Sequence, residues 1–377
     1  MYMEKRTFEN LGCTTSLLGF GAMRLPLTQN GKIDEEQATL MLDTALDAGV
    51  NYLDTAYPYH NGESEPFIGK YLKKKDRKSL YLATKLPQWL VNSLEDAKRL
   101  FNEQLQRLDT PYFDFYLIHS IDKKAFDKMV ELGVVAYLET LQKEGKIKHL
   151  GFSFHSIYED FAYIANFRPW DFCQIQYNYL DTEDQAGDKG YALSEKLGIP
   201  LIVMEPIKGG SLANLAPELA SKLQILDRTA SSASFALRWV ASHPNVKVIL
   251  SGMSNLKQVE DNLKTFEPFV PLQDNEWQVL KEIHDIMLSR LGNGCTGCKY
   301  CMPCPFGVDI PGNFALWNKY RMFQDFESVK KSWENPEVQS TRPPVCTECG
   351  QCLPLCPQHI NIPEDLKKVQ MELSHPR

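Results

Sequence analysis

The 377-residue chain is 43% hydrophobic and 24% charged, which is enough apolar sequence for one large domain with a small appendage. Its net charge of −7 argues against a general electrostatic grip on nucleic acid, so small molecules and other proteins are the expected partners. The first ten residues lack an apolar signal segment, and no uninterrupted apolar stretch is long enough to cross a bilayer, so we expect a cytoplasmic protein without membrane contact.

Short apolar runs rich in β-branched and aromatic residues recur up to about residue 263, and helical patterns separate them. The predicted strands are Ser16–Ala22, Val50–Asp54, Leu80–Lys85, Phe113–His119, Ile147–Ser153, Phe172–Gln176, Leu201–Glu205 and Val246–Leu250. The predicted helices are Asp34–Ala48, Leu94–Leu108, Val130–Lys143, Ile157–Asn166, Gly187–Leu197, Ala230–Ser242, Asn255–Lys264 and Leu272–Leu291. Asp34 is expected to cap the first helix and Gly49 to end it.

The strict alternation of strand and helix predicts a parallel sheet, and eight such units suit a closed (β/α)8 TIM barrel. An open doubly wound sheet is the competing fold. It normally has a glycine-rich turn after its first strand, but Gly19-Phe-Gly-Ala-Met lacks the third glycine of the dinucleotide fingerprint. The barrel is therefore favoured.

Four polar side chains follow apolar runs in the first half of the chain. Asp54 ends one predicted strand, Tyr59 lies five residues further on, and Lys85 and His119 end the next two strands. A parallel barrel collects the carboxyl ends of its strands on one rim, so the barrel would bring these four groups together.

The four residue types match the reduction of a carbonyl by hydride, which needs a proton donor at the oxygen. A tyrosine is too weak an acid near neutrality, and a neighbouring lysine cation lowers its pKa. Lys85 would favour the Tyr59 phenolate, Asp54 would hold Lys85 charged, and His119 would orient the substrate oxygen. Each residue alone is more often structural, and the hypothesis depends on their joint occurrence.

With these residues, the segment from 16 to about 265 resembles the aldo-keto reductase family, whose (β/α)8 fold binds NAD(P)H without a Rossmann domain. The family's Asp, Tyr, Lys and His tetrad matches Asp54, Tyr59, Lys85 and His119 in order and local context. Further similar segments are Gly-Phe-Ser153-Phe-His, Gln174-Ile-Gln-Tyr-Asn, Glu205-Pro-Ile-Lys-Gly-Gly and Ser251-Gly-Met-Ser-Asn.

The resemblance implies a cofactor site. Ser153 and Gln174 would hold the nicotinamide carboxamide, and Gly21, Ala22 and Met23 would lie near the reactive ring. Met204 stands where many members stack an aromatic ring on the nicotinamide. The remaining implied cofactor residues surround the start of the last barrel helix, whose N-terminus would receive phosphate: Gly252, Ser254, Gln258 and Asn262. Gln258 and Asn262 would face the adenosine end, and an ordinary solvated helix face is their alternative reading.

Two departures from the family pattern affect the cofactor. Phe154 replaces the asparagine that often follows the family's serine. Gln258 stands where an arginine often grips the 2′-phosphate of NADP, and Lys257 is the nearest cation. The choice between NADH and NADPH therefore stays open.

Composition changes sharply after residue 291, which divides the chain into a predicted barrel domain at 1–290 and a cysteine-rich domain at 291–377. Eight of the ten cysteines lie there in two groups: Cys295, Cys298, Cys301 and Cys304, followed by Pro305, and Cys346, Cys349, Cys352 and Cys356, followed by Pro357. Such runs favour two [4Fe-4S] clusters, whereas a zinc ribbon, the alternative, usually supplies two separated pairs. In a cytosolic protein the pattern suggests metal rather than disulfides.

The tail resembles the ferredoxin-type domain found at the end of one subgroup of aldo-keto reductases. By the two-cluster ferredoxin pattern, the first three cysteines of each group would share a cluster with the last cysteine of the other, Cys356 or Cys304 respectively. The spacing before Cys304 is one residue shorter than the pattern, and the connection at 305–345 is long. The clusters would either stabilise a small domain or relay electrons.

The sequence therefore predicts an oxidoreductase that moves a hydride between NAD(P)H and a small carbonyl or alcohol, with Tyr59 as general acid and base. A redox partner protein is a further possible partner. Two rival functions are a regulatory module that binds the cofactor without useful turnover, and a ferredoxin-like electron carrier for which the barrel is a docking scaffold. The substrate and the oligomeric state cannot be derived from the residues.

Overall fold

The computed structural model describes residues 3–376, which form ten strands and fourteen α-helices. The strands are β1 Lys5–Phe8, β2 Cys13–Ser16, β3 Leu18–Gly21, β4 Tyr52–Asp54, β5 Tyr81–Leu86, β6 Phe113–Ile121, β7 Ile147–Phe154, β8 Phe172–Gln176, β9 Leu201–Met204 and β10 Val246–Ser251.

The α-helices are α1 Glu35–Asp47, α2 Ser64–Leu72, α3 Leu94–Arg107, α4 Lys123–Glu131, α5 Val134–Lys143, α6 Tyr158–Ala165, α7 Gly187–Lys196, α8 Pro217–Leu226, α9 Ser232–Ala241, α10 Leu256–Phe266, α11 Asp274–Ser289, α12 Ile310–Phe323, α13 Glu327–Trp333 and α14 Ile362–Ser374. Short 3-10 helices occur at Ala22–Arg24, Tyr59–Gly62, Arg77–Ser79, Gln88–Leu90, Lys208–Ala213, Pro336–Thr341 and Pro343–Val345. None of the described helices is both long enough and apolar enough to span a bilayer.

Strands β3 to β10 close into a parallel barrel, with β10 hydrogen-bonded to both β3 and β9. All eight predicted barrel strands are present, so the predicted (β/α)8 fold is confirmed. The register fixes which polar side chains share a face. Asp54 pairs with Ala83, and Lys85 lies two residues beyond Ala83 on the same face of the sheet.

An N-terminal hairpin, which the sequence did not predict, pairs β1 with β2 in antiparallel register. Its Phe8 is fully buried and packs with Tyr52, Phe115 and Phe172 among side chains from the first halves of the barrel strands. The ring centroids of Phe8 and Phe115 are 5.5 Å apart. The hairpin therefore fills the end of the barrel opposite the predicted active site.

The predicted helix at Val130–Lys143 is instead two helices, α4 and α5. Gly133 separates them with a left-handed backbone, φ +72. Glycine adopts this conformation at little steric cost, so the chain turns there rather than continuing one helix. Asp34 does cap α1, because its side chain accepts a hydrogen bond from the Gln37 N–H.

Two compact units divide the described chain. One contains the residues up to Ala213 with Asp227–Asp274, and the other contains Asn214–Leu226 with the residues from Asn275 onward. The second unit has a core of its own, in which Trp317, Trp333 and Phe314 are buried. Six of the eight clustered cysteines pack against this core: Cys295, Cys301, Cys304, Cys346, Cys352 and Cys356.

Candidate active site

Four polar side chains from the first half of the chain meet at the C-terminal ends of neighbouring barrel strands. Asp54 ends β4, Lys85 lies near the end of β5, and His119 lies near the end of β6. Tyr59 begins the 3-10 turn that follows β4. The barrel therefore brings together the four residues that the sequence grouped by chemistry.

Lys85 and Asp54 form a buried ion pair. The Lys85 Nζ lies 2.6 and 2.7 Å from the two carboxylate oxygens of Asp54 and 2.9 Å from the Thr55 carbonyl oxygen. The side chains are 0% and 3% exposed. Burial lowers the pKa of Lys85, but the Asp54 carboxylate outweighs burial and holds that pKa above its ordinary value. Lys85 is therefore a cation at neutral pH.

Tyr59 lies beside this cation. Its hydroxyl oxygen is 3.5 Å from the Lys85 Nζ, which is the long limit of a hydrogen bond. Burial raises the pKa of Tyr59, and Lys85 pulls it down only in part, because the Asp54 charge also raises it. The sequence-based expectation of a lowered pKa does not hold for the net shift, so the phenol is protonated at neutral pH and can donate a proton.

His119 completes the group. Its ring packs edge-on against the Tyr59 ring at a centroid distance of 6.2 Å, and Trp89 lies 5.1 Å away on another side. Burial holds the pKa of His119 well below its usual range, and the positive charge of Lys85 adds to that effect. The buried Nδ1 atom has no hydrogen-bond partner among the described residues. A neutral imidazole of this kind can offer an N–H to a substrate oxygen.

The predicted carboxamide residues lie on β7 and β8, where Ser153 pairs with Gln174. The Ser153 hydroxyl oxygen accepts a hydrogen bond of 2.8 Å from the Ser120 N–H. Gln174 places its amide nitrogen 3.2 Å from the Met204 sulfur, while its buried amide oxygen has no partner among the described residues. That unsatisfied acceptor fits the N–H donors of a nicotinamide carboxamide.

The other predicted cofactor residues lie at the ends of β3 and β10. Gly21 and Ala22 are buried, and Met23 is exposed. Gly21 has little room for a side chain, because an added β-carbon would lie 3.3 Å from the Ser251 carbonyl oxygen. Gly252 directly follows β10. Roles for these residues in binding a cofactor stay predictions.

The start of α10 is satisfied by its own side chains. The Ser254 N–H donates to the Gln258 side-chain oxygen at 2.7 Å, and the Gln258 N–H donates to the Asn255 side chain at 3.0 Å. Asn262 is buried and donates to the Ser251 hydroxyl oxygen at 2.6 Å. In this structure, Gln258 and Asn262 are therefore engaged within the protein, and their contacts with adenosine stay predictions.

A buried network behind β5 was missed by the sequence reasoning. Glu65 on α2 accepts hydrogen bonds of 2.6 Å from both Thr84 and the Gln104 amide. Gln104 on α3 also donates to the Lys85 carbonyl oxygen at 3.0 Å. These contacts fix β5, and with it Lys85, against two helices. Glu65 and Gln104 belong to no motif, and only their occurrence at buried helix positions sets them apart.

The tail cysteines divide into two groups in space. The first is lined up for the second predicted cluster, since Cys304, Cys346, Cys349 and Cys352 all line one cavity together with Cys301. In the other group, Cys295 has Cys298 and Cys356 as its charged neighbours. Cysteines from both sequence groups thus meet at both places, as the crossed pattern requires. Within residues 3–376, no three His, Cys, Asp or Glu side chains form a group that could hold a single metal ion.

Comparison with known proteins gives the family. The aldo/keto reductase family model matches residues 17–285, and a 4Fe-4S dicluster domain model matches residues 294–361.

L-galactose dehydrogenase of Arabidopsis thaliana is 26% identical over 306 residues, which cover 76% of this chain and 94% of that protein. The NADH-specific methylglyoxal reductase of Escherichia coli (strain K12) is 25% identical over 328 residues, which cover 74% of this chain and 96% of that protein. Among solved structures, the holo form of an aldo-keto reductase from Bacillus halodurans matches with a TM-score of 0.60 and 27% identity, covering 74% of this chain and 96% of that one. The chain belongs to the aldo/keto reductase family of oxidoreductases and carries a 4Fe-4S dicluster domain after its barrel.

Proposed function

We propose that this protein is an NAD(P)H-dependent oxidoreductase that interconverts a small aldehyde or ketone and its alcohol, with Tyr59 as general acid and base. The observation that carries the proposal is the position of the Lys85 ammonium, 2.6 Å from the Asp54 carboxylate and 3.5 Å from the Tyr59 hydroxyl. The buried cation stabilises the phenolate that forms when Tyr59 gives up its proton.

Bound NAD(P)H supplies the hydride that adds to the carbonyl carbon. In that direction Tyr59 donates its hydroxyl proton to the substrate oxygen, and Lys85 stabilises the remaining phenolate. In alcohol oxidation the phenolate takes the proton back. His119, which is neutral, donates a hydrogen bond to the same oxygen and orients it. Asp54 keeps Lys85 charged and in place.

The same chain offers a set of side chains for the cofactor. Ser153 and the unsatisfied Gln174 oxygen would hold the carboxamide, and Met204 would cover one face of the ring. The proposed contacts beyond the ring are Gly21, Ala22, Met23, Gly252, Ser254, Gln258 and Asn262. Gln258 would have to leave the Ser254 N–H to reach an adenosine, so a phosphate at that N–H would take its place.

A substrate screen tests the reaction. The purified chain would be mixed with NADPH or NADH and a panel of aldehydes and ketones, and with the oxidised cofactors and sugar alcohols, while nicotinamide absorbance is followed. Both directions are included because the two relatives are named as a reductase and a dehydrogenase. Binding of the cofactor without turnover of any substrate would instead support the rival regulatory module.

We also propose that residues 1–290 form the catalytic domain and that residues 291–377 hold two [4Fe-4S] clusters. Cys295, Cys298, Cys301 and Cys356 would hold one cluster, and Cys346, Cys349, Cys352 and Cys304 the other. The core around Trp317 gives this domain apolar packing besides the clusters. A redox partner is proposed only if reduced clusters exchange electrons with bound NAD(P)+.

The anaerobically purified protein is expected to contain about eight iron and eight sulfide atoms per chain, as two cubane clusters require. Cys304→Ala removes a ligand of the second cluster only and should lower the iron content by about half at most. Cys13→Ser, at a thiol within the barrel core, should leave the iron content unchanged. Iron-free protein with one or two zinc ions per chain would contradict the proposal.

A further inference from the structure

Arg24 lies at the C-terminal mouth of the barrel, on the 3-10 turn that follows β3. Two hydrogen bonds anchor this turn: the Ser64 hydroxyl donates to the Ala22 carbonyl oxygen at 3.3 Å, and the Leu25 N–H donates to the His60 ring at 3.1 Å. The Arg24 side chain is exposed, and its guanidinium has no hydrogen-bond or ion-pair partner among residues 3–376. A fixed turn thus presents an unpaired cation.

The side chain of Arg24 reaches across two other strand ends. A β-carbon added to Gly252, just after β10, would lie 3.3–3.4 Å from the Cβ, Cγ and Cδ atoms of Arg24. One added to Gly209, in the turn after β9, would lie 3.4 Å from the Arg24 Nη2. The aliphatic stem therefore lies on Gly252 and the guanidinium lies over Gly209, so both glycines are needed for this path.

The loops that Arg24 spans follow the seventh and eighth strands of the barrel, since β3 is the first. In (β/α)8 barrels these two loops frequently form a phosphate-binding site. Gly209 and Gly210 have left-handed backbones, with φ of +62 and +98, and only a glycine adopts such successive conformations easily. The first N–H groups of α10 are already engaged by Gln258 and Asn255. A phosphate arriving here needs another positive group.

A carboxylate makes that need larger. The Glu205 Oε2 atom lies 3.6 Å from the same added β-carbon of Gly209 that is 3.4 Å from the Arg24 Nη2. Glu205 itself has a left-handed backbone, φ +54, which holds its side chain at this rim. A diphosphate beside Glu205 alone would be repelled, and the guanidinium offsets that repulsion.

We propose that Arg24 binds the diphosphate of the dinucleotide cofactor across the loops after β9 and β10. The inference deepens the proposed function and rests on it, because it assumes that the barrel binds NAD(P)H. Arginine suits the role, since its planar guanidinium makes two parallel, charge-assisted hydrogen bonds to phosphate oxygens.

The test measures dissociation constants of the full chain for NADPH, NADH and ADP-ribose by titration calorimetry. ADP-ribose keeps the diphosphate but lacks the nicotinamide. Arg24→Met keeps an unbranched apolar stem on Gly252 and removes the charge. It is expected to weaken the preferred dinucleotide and ADP-ribose to similar extents, by about tenfold to hundredfold. Arg24→Lys should fall between wild type and Arg24→Met, because an ammonium lacks the bidentate fork.

Lys32→Met is the matched control, since Lys32 is exposed on the same N-terminal segment and the charge change is identical. It should bind all three ligands as wild type does. The inference is overturned if Arg24→Met binds within twofold of wild type, or if it weakens the dinucleotide but not ADP-ribose, which would place Arg24 at the nicotinamide end. Wild-type protein that binds neither NADPH nor NADH would overturn the proposed function itself.

Discussion

Replacing Tyr59 with phenylalanine is expected to lower kcat for carbonyl reduction by about 10²–10⁴-fold, the usual contribution of a positioned general acid. The substitution removes the hydroxyl that lies 3.5 Å from the Lys85 Nζ and keeps the ring that packs against His119. Steady-state kinetics with the best substrate of the screen measures the effect, and calorimetry measures the cofactor dissociation constant.

The cofactor dissociation constant should change little in Tyr59→Phe, because the predicted carboxamide contacts come from Ser153 and Gln174. Tyr57→Phe is the matched control: Tyr57 is two residues away and its hydroxyl donates to Glu103 at 2.9 Å rather than to Lys85. A Tyr59→Phe enzyme that keeps more than a tenth of wild-type kcat would remove Tyr59 from the reaction.

The pH dependence has a sign that follows from the raised pKa of Tyr59. Reduction needs the protonated phenol, so its kcat/KM should be level at neutral pH and fall as the pH rises through that pKa. Oxidation needs the phenolate and should show the opposite trend. Both trends should disappear in Tyr59→Phe, and a wild-type profile for reduction that rises towards alkaline pH would contradict the assignment.

The sequence was sufficient where a pattern has a local cause. The barrel strands were predictable because each is a short apolar run between helices. The β1–β2 hairpin was not, because Lys5–Phe8 has only one buried side chain, Phe8, and its place depends on the closed barrel above it. Helices α12–α14 were also missed, since cysteines and prolines dominate the composition of that segment.

The candidate site divides in the same way. The residue types and order predicted the tetrad, and barrel closure supplied the distances that no spacing contains. The direction of the Tyr59 pKa was misjudged, because its sign depends on how far burial outweighs Lys85. Glu65 and Gln104 were missed, because a buried polar pair on two helices has no sequence signature.

The second large effect is expected from breaking the buried ion pair. Lys85→Met leaves the Asp54 carboxylate buried without its cation, which typically lowers the free energy of unfolding by about 3–5 kcal/mol. Lys70→Met, which breaks the exposed pair of Lys70 and Glu35, should cost less than about 1 kcal/mol. Denaturant unfolding monitored by circular dichroism at neutral pH gives both values.

The Lys85→Met deficit should depend on pH and on its partner. Burial raises the pKa of Asp54, and without Lys85 nothing of equal size opposes that shift. The folded state of Lys85→Met then binds a proton more tightly than the unfolded state, so its deficit should shrink as the pH falls through the raised pKa of Asp54. The double variant Lys85→Met/Asp54→Leu should be more stable than Lys85→Met alone, since no unpaired charge stays buried. Equal stability of the single and double variants at neutral pH would mean that Asp54 does not hold a charge there, and the ionic partnership that orients Lys85 towards Tyr59 would be wrong.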